Sequence, residues 1–346
     1  MKIKVKYLLP SVALLIIFFT VSVVGLCLGT TAYAMTPDEN LQIVYLGGMP
    51  IGIRAVTQYF VVTEIVNVTS KDGSFSPAMQ AGIKKGDLIV AVNGKSVSDL
   101  NTFNDEVQAS DKVIISLKRG ADIEEIEVVP AFDVAQNSKK IGMLIKNDIT
   151  GMGTLTMITK DKRFGALGHI VSDEYGYGDI YSGGSIYDCT VTGYNKPREN
   201  VPGELRANVD FSAKIGEFSI NNSTGIYGNI SCDTSELTEI AIADKDSVVP
   251  GKAHILSTIS GKMPELYEIE IIKAVKQDNV ADKSMVIRVT DKRLKDTTGG
   301  ILQGMSGSPI IQNDKLVGAV THVFINDPGK GYGIYAQWMM KNFDSF

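Results

Sequence analysis

Short runs in which apolar and polar residues alternate, separated by turns rich in Gly, Asn and Asp, occupy most of the chain after residue 40. Such alternation predicts half-buried β-strands, because successive side chains of a strand point to opposite faces of the sheet. Up to residue 130 the pattern twice changes to helical spacing, most clearly where Leu100, Phe103 and Val107 recur on one face. In this part we predict helices at 77–81 and 99–109 and strands at 42–46, 59–68, 88–92, 113–118 and 123–129.

From about residue 141 onward the alternating runs are short and the turns are frequent. Here we predict strands that include 153–159, 215–220, 267–275, 285–289 and 316–324, with one late helix near 336–343. The sequence shows no alternation of strands with helices, which argues against a doubly wound fold. The pattern therefore predicts a mainly β protein whose second part is an all-β sandwich or a pair of barrels.

The first 35 residues have a different character. Lysines at positions 2, 4 and 6 precede a segment that carries no charged residue before Asp38. Its apolar part, residues 8–28, is long enough to cross a bilayer as a helix, and the basic flank predicts a cytoplasmic N-terminus. The triplet Ala32-Tyr33-Ala34 also fits a signal-peptidase site. We therefore predict for residues 1–35 either an uncleaved transmembrane helix or a cleaved signal peptide, and a protein that is membrane-anchored or secreted.

Composition narrows the possible functions. The 346 residues are enough for two folded domains, and the net charge of -5 argues against nucleic acid as a partner. Beyond the apolar segment only Cys189 and Cys232 remain, and we predict that both are free thiols. The sequence contains no Cys/His cluster with the spacing of metal ligands, so we predict no metal site and no cofactor.

One small-residue segment, GMSGSP at residues 304–309, is the strongest candidate for chemistry. Glycines on both sides of Ser306 allow a sharp turn that exposes the hydroxyl and directs main-chain amides at a substrate carbonyl. The alternative is an ordinary turn between two strands. A serine nucleophile requires a base that accepts its proton, and the chain offers only His169, His254 and His322. We favour His169, because it follows a turn of small residues, whereas His254 has apolar strand neighbours and His322 could line the site.

The third member of such a site is a carboxylate that orients the imidazole. Asp291 and Asp210 both end alternating runs, and the residues alone do not decide between them. The remaining candidates are Asp173, Asp188 and Asp296.

Two motifs in the first part of the chain resemble the PDZ domain. Residues 47–53 form a glycine-rich loop that leads into a strand, and residues 76–94 combine a helix, a turn, an apolar strand and an Asn-Gly turn. The resemblance implies an α+β PDZ domain at residues 40–130, with a groove in which a peptide adds as an extra strand. It also implies that the amides of Ile51, Gly52 and Ile53 hold the terminal carboxylate of that peptide.

The second part resembles the stage IV sporulation protein B (SpoIVB) peptidase family. The resemblance rests on residues 298–313 and 316–324, on GTLT at 153–156, and on GALGH at 165–169. It implies a serine endopeptidase with a chymotrypsin-like double β-barrel at residues 131–346. It further implies Ser306 as nucleophile, His169 as general base and Asp291 as the acid, with Asp210 in reserve. The oxyanion hole would consist of the amides of Gly304 and Ser306.

The same resemblance implies a role in endospore formation. Members of this family are exported from the forespore into the space between its two membranes. They cleave themselves and a membrane-associated regulatory protein, which activates the processing of a mother-cell sigma factor. Protein substrates, peptide segments bound by the PDZ domain and the membrane are therefore the expected partners. The alternatives are a non-catalytic PDZ scaffold, a paralogue that cleaves a different exported sporulation protein, and a quality-control protease of the HtrA type.

Overall fold

A computed structural model of the chain describes residues 42–345, apart from Ser98 and Ala121. The predicted transmembrane helix at residues 1–35 lies outside the described residues, and our assignment of such a helix to the fold needs correction. None of the helices described between residues 42 and 345 is long and apolar enough to span a bilayer.

The described chain consists mainly of strands. In order they are β1 (Ile43–Leu46), β2 (Pro50–Ile65), β3 (Val68–Ser70), β4 (Gly73–Phe75), β5 (Leu88–Val92), β6 (Lys95–Ser96), β7 (Val113–Arg119), β8 (Asp122–Val128), β9 (Ala131–Asp133), β10 (Ser138–Lys140), β11 (Met143–Ile158), β12 (Arg163–Ala166), β13 (Gly183–Asn195), β14 (Glu204–Asn222), β15 (Gly225–Ile230), β16 (Glu239–Ile242), β17 (Gly251–Ser257), β18 (Glu265–Ala274), β19 (Met285–Val289), β20 (Pro309–Gln312), β21 (Lys315–Phe324) and β22 (Asp327–Tyr335). The α-helices are α1 (Pro77–Gln80), α2 (Leu100–Ala109), α3 (Lys292–Thr298) and α4 (Ala336–Met340).

Six strands close into a first antiparallel barrel. The pairing runs from β2 to β11, β12, β15, β14 and β13, and β13 pairs again with β2. Every second residue of these strands faces the interior, where Ile51, Leu155, Phe164 and Ile226 are almost fully buried. Closure removes the exposed edges that an open sheet would present to solvent.

Six later strands close into a second barrel in the order β17, β18, β19, β22, β21 and β20, with β20 paired back to β17. Ile255, Ile287, Ile310 and Ile334 occupy its core at 0% exposure. Strand β16 joins the two barrels, because it pairs antiparallel with β1 and parallel with β21. The prediction of a chymotrypsin-like double barrel is thus confirmed.

A PDZ domain lies between the paired strands β2 and β11 of the first barrel. Its core contains Phe60, Ile89 and Val113, against which Phe103 and Val107 of α2 pack. Helix α2 begins at the predicted place because Asp99 caps it, accepting a hydrogen bond from the amide of Thr102 at 2.9 Å. The predicted α+β PDZ domain is therefore confirmed.

The two long strands β2 and β11 belong to both the PDZ domain and the first barrel. Met143 pairs with Ile65 in the PDZ domain, and 11 residues later Thr154 pairs with Pro50 in the barrel. Our boundaries of 40–130 and 131–346 assigned all of β1 and β2 to the PDZ domain. The structure instead pairs β1 and the first half of β2 with strands of the two-barrel part.

Candidate active site

A cleft of about 1060 Å³ brings together residues from both barrels. His169 follows β12 of the first barrel, whereas Ser306 precedes β20 of the second. Both line this cleft, together with Gly304, Asp282 and His322. The structure therefore places the predicted nucleophile and the predicted base in one site, although 137 positions separate them in the sequence.

Two glycines shape the loop that carries Ser306. Gly304 and Gly307 have φ values of 94° and 96°, which L side chains rarely adopt. A Cβ atom on Gly307 would lie 2.0 Å from the carbonyl oxygen of Thr154, so only glycine fits there. Thr154 holds the loop from the other barrel, since its amide donates to the Ser306 carbonyl at 2.9 Å and its hydroxyl donates to the Gly304 carbonyl at 3.0 Å.

The Ser306 side chain is hydrogen-bonded within the cleft. Its Oγ donates to the carbonyl oxygen of Thr321 at 2.7 Å. The amides of Gly304 and Ser306, predicted as the oxyanion hole, donate to no protein acceptor in the part of the chain that the structure describes. An oxyanion hole requires donors that are free to bind substrate. Their role stays a prediction.

A strained turn presents His169 to the cleft. Leu167 and Gly168 both have positive φ, 71° and 73°, and for leucine this conformation costs free energy. His169 Nδ1 lies 2.8 Å from the carbonyl oxygen of Ile170. Because a carbonyl only accepts, Nδ1 carries the proton and the neutral ring keeps Nε2 as its basic nitrogen.

Two further titratable side chains, His322 and Asp282, line the cleft with His169. The ring of His322 lies 4.9 Å from the His169 ring, centroid to centroid, with a tilt of 36°. Burial lowers the pKa of His169, whereas the Ile170 carbonyl and the charge of Asp282 act to raise it. Sequence reasoning considered His322 but missed Asp282. This aspartate lies in the loop between β18 and β19, where no motif marks it.

Asp291, the predicted acid of the triad, does not contact His169 in this structure. It caps α3, where its Oδ1 accepts from the amide of Arg293 at 2.8 Å and its Oδ2 pairs with the Arg293 guanidinium at 2.9 Å. Its Oδ2 also accepts from the amide of Glu268 at 3.2 Å. Burial acts to raise the pKa of Asp291, but these hydrogen bonds outweigh burial and hold the pKa below its ordinary value. We therefore revise its role from triad acid to helix cap.

Asp210 and His254 lie elsewhere as well, whereas Asp173, another carboxylate considered from the sequence, does line the cleft. Asp210 is exposed on β14, where it accepts from the amide and hydroxyl of Ser212 at 2.9 and 2.6 Å. His254 is an exposed residue of β17 that pairs with Glu268 of β18. Neither lines the cleft.

The predicted carboxylate-binding loop of the PDZ domain also requires correction. Ile51, Gly52 and Ile53 belong to β2, which pairs with β11 on one edge and with β13 on the other. Ile51 and Ile53 are 1% and 3% exposed, so these residues form part of the first barrel and offer no open edge to a peptide.

A second cavity, of about 290 Å³, identifies the PDZ groove. It lies between α2 and the start of β11, and Phe103, Val107, Ile141 and Met143 contribute its apolar lining. Residues 141–143 read Ile-Gly-Met, with Gly142 at φ 79°. Residues 141–143 have the same apolar-Gly-apolar pattern as residues 51–53. Unlike residues 51–53, they lie at the entrance to the groove beside α2.

Two family models agree with this architecture. A family model described as SpoIVB peptidase S55 matches residues 137–340, and a PDZ domain model matches residues 73–119. The PDZ domain of an SdrC-like protein from Listeria monocytogenes is 22% identical, covering 24% of this chain and 87% of its own, with a TM-score of 0.19. The active form of the Rv3671c protease from M. tuberculosis is 15% identical, covering 57% of this chain and 74% of its own, with a TM-score of 0.33.

The family match covers more than half of the chain, including the Ser306 loop, the His169 turn, the second barrel and every strand of the first barrel except β2. The chain therefore belongs to the SpoIVB peptidase S55 family and is a serine peptidase that carries a PDZ domain.

Proposed function

We propose that the protein is an endopeptidase that hydrolyses internal peptide bonds of exported sporulation proteins, its own chain included. The observation that carries this proposal is the cleft that Ser306 and His169 both line, with Nε2 of His169 left as the basic nitrogen. Family membership supports the link to sporulation, and the PDZ groove supports protein or peptide substrates.

The reaction begins when the Ser306 hydroxyl leaves its hydrogen bond with the Thr321 carbonyl by rotating about χ1. Its Oγ then attacks the peptide carbonyl carbon while its proton passes to Nε2 of His169. The amides of Gly304 and Ser306 donate to the resulting oxyanion. The C–N bond breaks, the leaving amine takes the proton from Nε2, and an acyl-enzyme remains.

Water completes the cycle by the same route. His169 Nε2 removes a proton from the water molecule, whose oxygen attacks the ester carbonyl, and the proton then returns to Ser306 Oγ. The Ile170 carbonyl maintains the reactive tautomer throughout, because Nδ1 keeps its proton.

A carbonyl dipole stabilises the imidazolium less than a full negative charge does. Asp282 lines the same cleft, and its charge raises the pKa of His169. We assign Asp282 as the negatively charged group that stabilises His169 when its ring is protonated. This places the counter-charge on the β18–β19 loop of the second barrel rather than on Asp291.

Covalent labelling tests the proposal directly. A fluorophosphonate probe is expected to label the wild-type protein at Ser306, and Ser306→Ala is expected to abolish both labelling and the appearance of shortened chains. His169→Ala is expected to slow labelling by about 10³-fold or more. Retained peptide binding without any Ser306-dependent labelling would support the non-catalytic scaffold instead.

The cellular part of the proposal needs its own measurement. In a spore former that produces this protein, Ser306→Ala is expected to block sporulation while the full-length chain accumulates on the exported side. Normal sporulation by that variant would contradict the sporulation role and leave the peptidase activity untouched.

A further inference from the structure

The PDZ groove and the catalytic cleft share one strand. Met143 and Ile145, at the start of β11, line the groove, whereas Lys146, Thr150 and Met152 of the same strand line the cleft. A chain that follows β11 therefore passes from one site into the other without leaving the strand.

One edge of β11 remains available along this path. Within residues 42–345, β2 is the only strand that pairs with Met143–Lys146, so the opposite edge is free there. We call it the free edge. Farther along β11 this side of the strand is occupied, because the Thr154 amide donates to the Ser306 carbonyl and the Thr154 carbonyl accepts from the amide of Leu167. The free edge therefore lies at the groove, and the later part of β11 lines the cleft and contacts the Ser306 loop.

The groove sets the direction of a bound peptide. The turn at Ile141–Gly142, where amides and a positive φ favour a carboxylate, lies at the N-terminal end of β11. Lys140 at the rim adds positive charge, whereas Lys139 is paired with Asp111 at 2.9 Å and Asp133 also lines the groove. A peptide whose C-terminus occupies this turn must extend along β11 in the antiparallel sense, so that its N-terminal side enters the cleft.

A second connection, besides β11, holds the PDZ groove and the catalytic cleft at a fixed separation. Tyr177 donates through its hydroxyl to the carbonyl of Gly86 in the PDZ domain at 3.1 Å, and Lys85 lies 3.6 Å from the carboxylate of Glu174. Glu174 itself lines the cleft. The distance between groove and cleft is therefore fixed at two points, by β11 and by this loop.

From these contacts we propose that the enzyme captures the apolar C-terminus of a protein substrate in the PDZ groove and cleaves the same chain at a fixed spacing from that terminus. The substrate adds as a strand to the free edge at Met143–Lys146 and continues past β11 into the cleft. Met143 and Thr154 are 11 positions apart. At about 3.3 Å per residue this spans about 36 Å, so the cut falls about ten residues before the C-terminus. This inference rests on the proposed peptidase activity.

A mixed-sequence library of 25-residue peptides provides the test. The library is digested with free and with amidated C-termini, and mass spectrometry records the lengths of the C-terminal products. We expect these lengths to cluster at about ten residues for free C-termini. Amidation removes the charge, and we expect it to abolish the cluster and lower kcat/KM about tenfold or more.

Two variants of α2 form a matched pair. Asn104 lines the groove and is exposed, so Asn104→Trp fills the groove without disturbing the core. Its neighbour Asp105 is equally exposed and does not line the groove. We expect Asn104→Trp to abolish the cluster and Asp105→Trp to preserve it.

The outcomes separate the two claims. If no cleavage depends on Ser306, the proposed peptidase activity itself fails. If Ser306-dependent products show no preferred distance from the C-terminus, or keep it in Asn104→Trp, the activity stands and the fixed spacing is overturned.

Discussion

The role of Asp291 is the sharpest point on which sequence and structure differ, and substitution can decide it. In the structure this carboxylate is 7% exposed, caps α3, pairs with Arg293 and accepts from the amide of Glu268. Loss of the cap costs about 1 kcal/mol, and loss of the charged hydrogen bonds adds about 2 kcal/mol. Asp291→Ala is therefore expected to lower the free energy of unfolding by about 3 kcal/mol and Tm by roughly 6–12 °C.

Asp291→Ser separates the cap from any catalytic role. Serine also caps helices, so this variant is expected to recover about 1 kcal/mol relative to alanine and to keep kcat within about threefold of wild type. If Asp291 oriented His169 instead, replacing its carboxylate would lower kcat by about 10⁴-fold, the size measured for triad aspartates.

The pH dependence of stability supplies an independent check. Because the folded-state pKa of Asp291 is lowered, its contribution is present above the unfolded pKa near 3.8 and is lost as pH falls through the folded value. Asp291→Ala should therefore lose less stability than wild type between about pH 5 and 2. Thermal unfolding and fluorophosphonate labelling rates measure the two properties. A variant with wild-type Tm and abolished labelling would refute the cap assignment.

Three further predictions concern the cleft. Gly307→Ala is expected to displace the Ser306 loop and lower kcat/KM at least about tenfold, because its Cβ would lie 2.0 Å from the Thr154 carbonyl oxygen. Gly261→Ala, which also has positive φ but meets nothing within 4 Å, should keep activity and lose only about 1 kcal/mol of stability. Burial lowers the pKa of His169, so the acid limb of kcat/KM should fall below pH 6.5. Asp282→Asn removes a charge that raises this pKa, and should move the limb to still lower pH and reduce kcat; an unchanged profile would contradict the role of Asp282.

Local sequence patterns were sufficient to predict a strand, helix or turn whose position depends on its own residues. The strands at Leu88–Val92 and Met285–Val289 lie at the predicted bounds. The first is a continuous apolar run bounded by turns, and the second alternates between buried and more exposed residues. The loop carrying Ser306 and the turn carrying His169 were also found, since the glycines that shape them are local signals. Helix α3 was missed, although Asp291 and Gly299 mark its two ends as caps, because only seven residues lie between them.

The features that the sequence did not predict depend on contacts between distant parts of the chain. The apolar-Gly-apolar pattern occurs at residues 51–53 and at residues 141–143, and nothing local distinguishes the two. Only the pairing of β2 with both β11 and β13 buries the first copy, and only the neighbouring α2 turns the second into a groove. Asp282 lines the same cleft as His169 although 113 positions of sequence separate them, and no periodicity could predict this.

The position of the PDZ domain between β2 and β11 has a consequence for folding. Ile65 and Met143 pair although 77 residues lie between them, and closing so long a flexible loop costs about 4 kcal/mol of chain entropy. A PDZ domain that folds first brings these two ends together, and the first barrel then closes without that cost. Synthesis from the N-terminus favours this order, because β12 to β15 emerge only after the PDZ domain is complete. Substitutions that unfold the PDZ core should therefore slow assembly of a barrel whose own residues are unchanged.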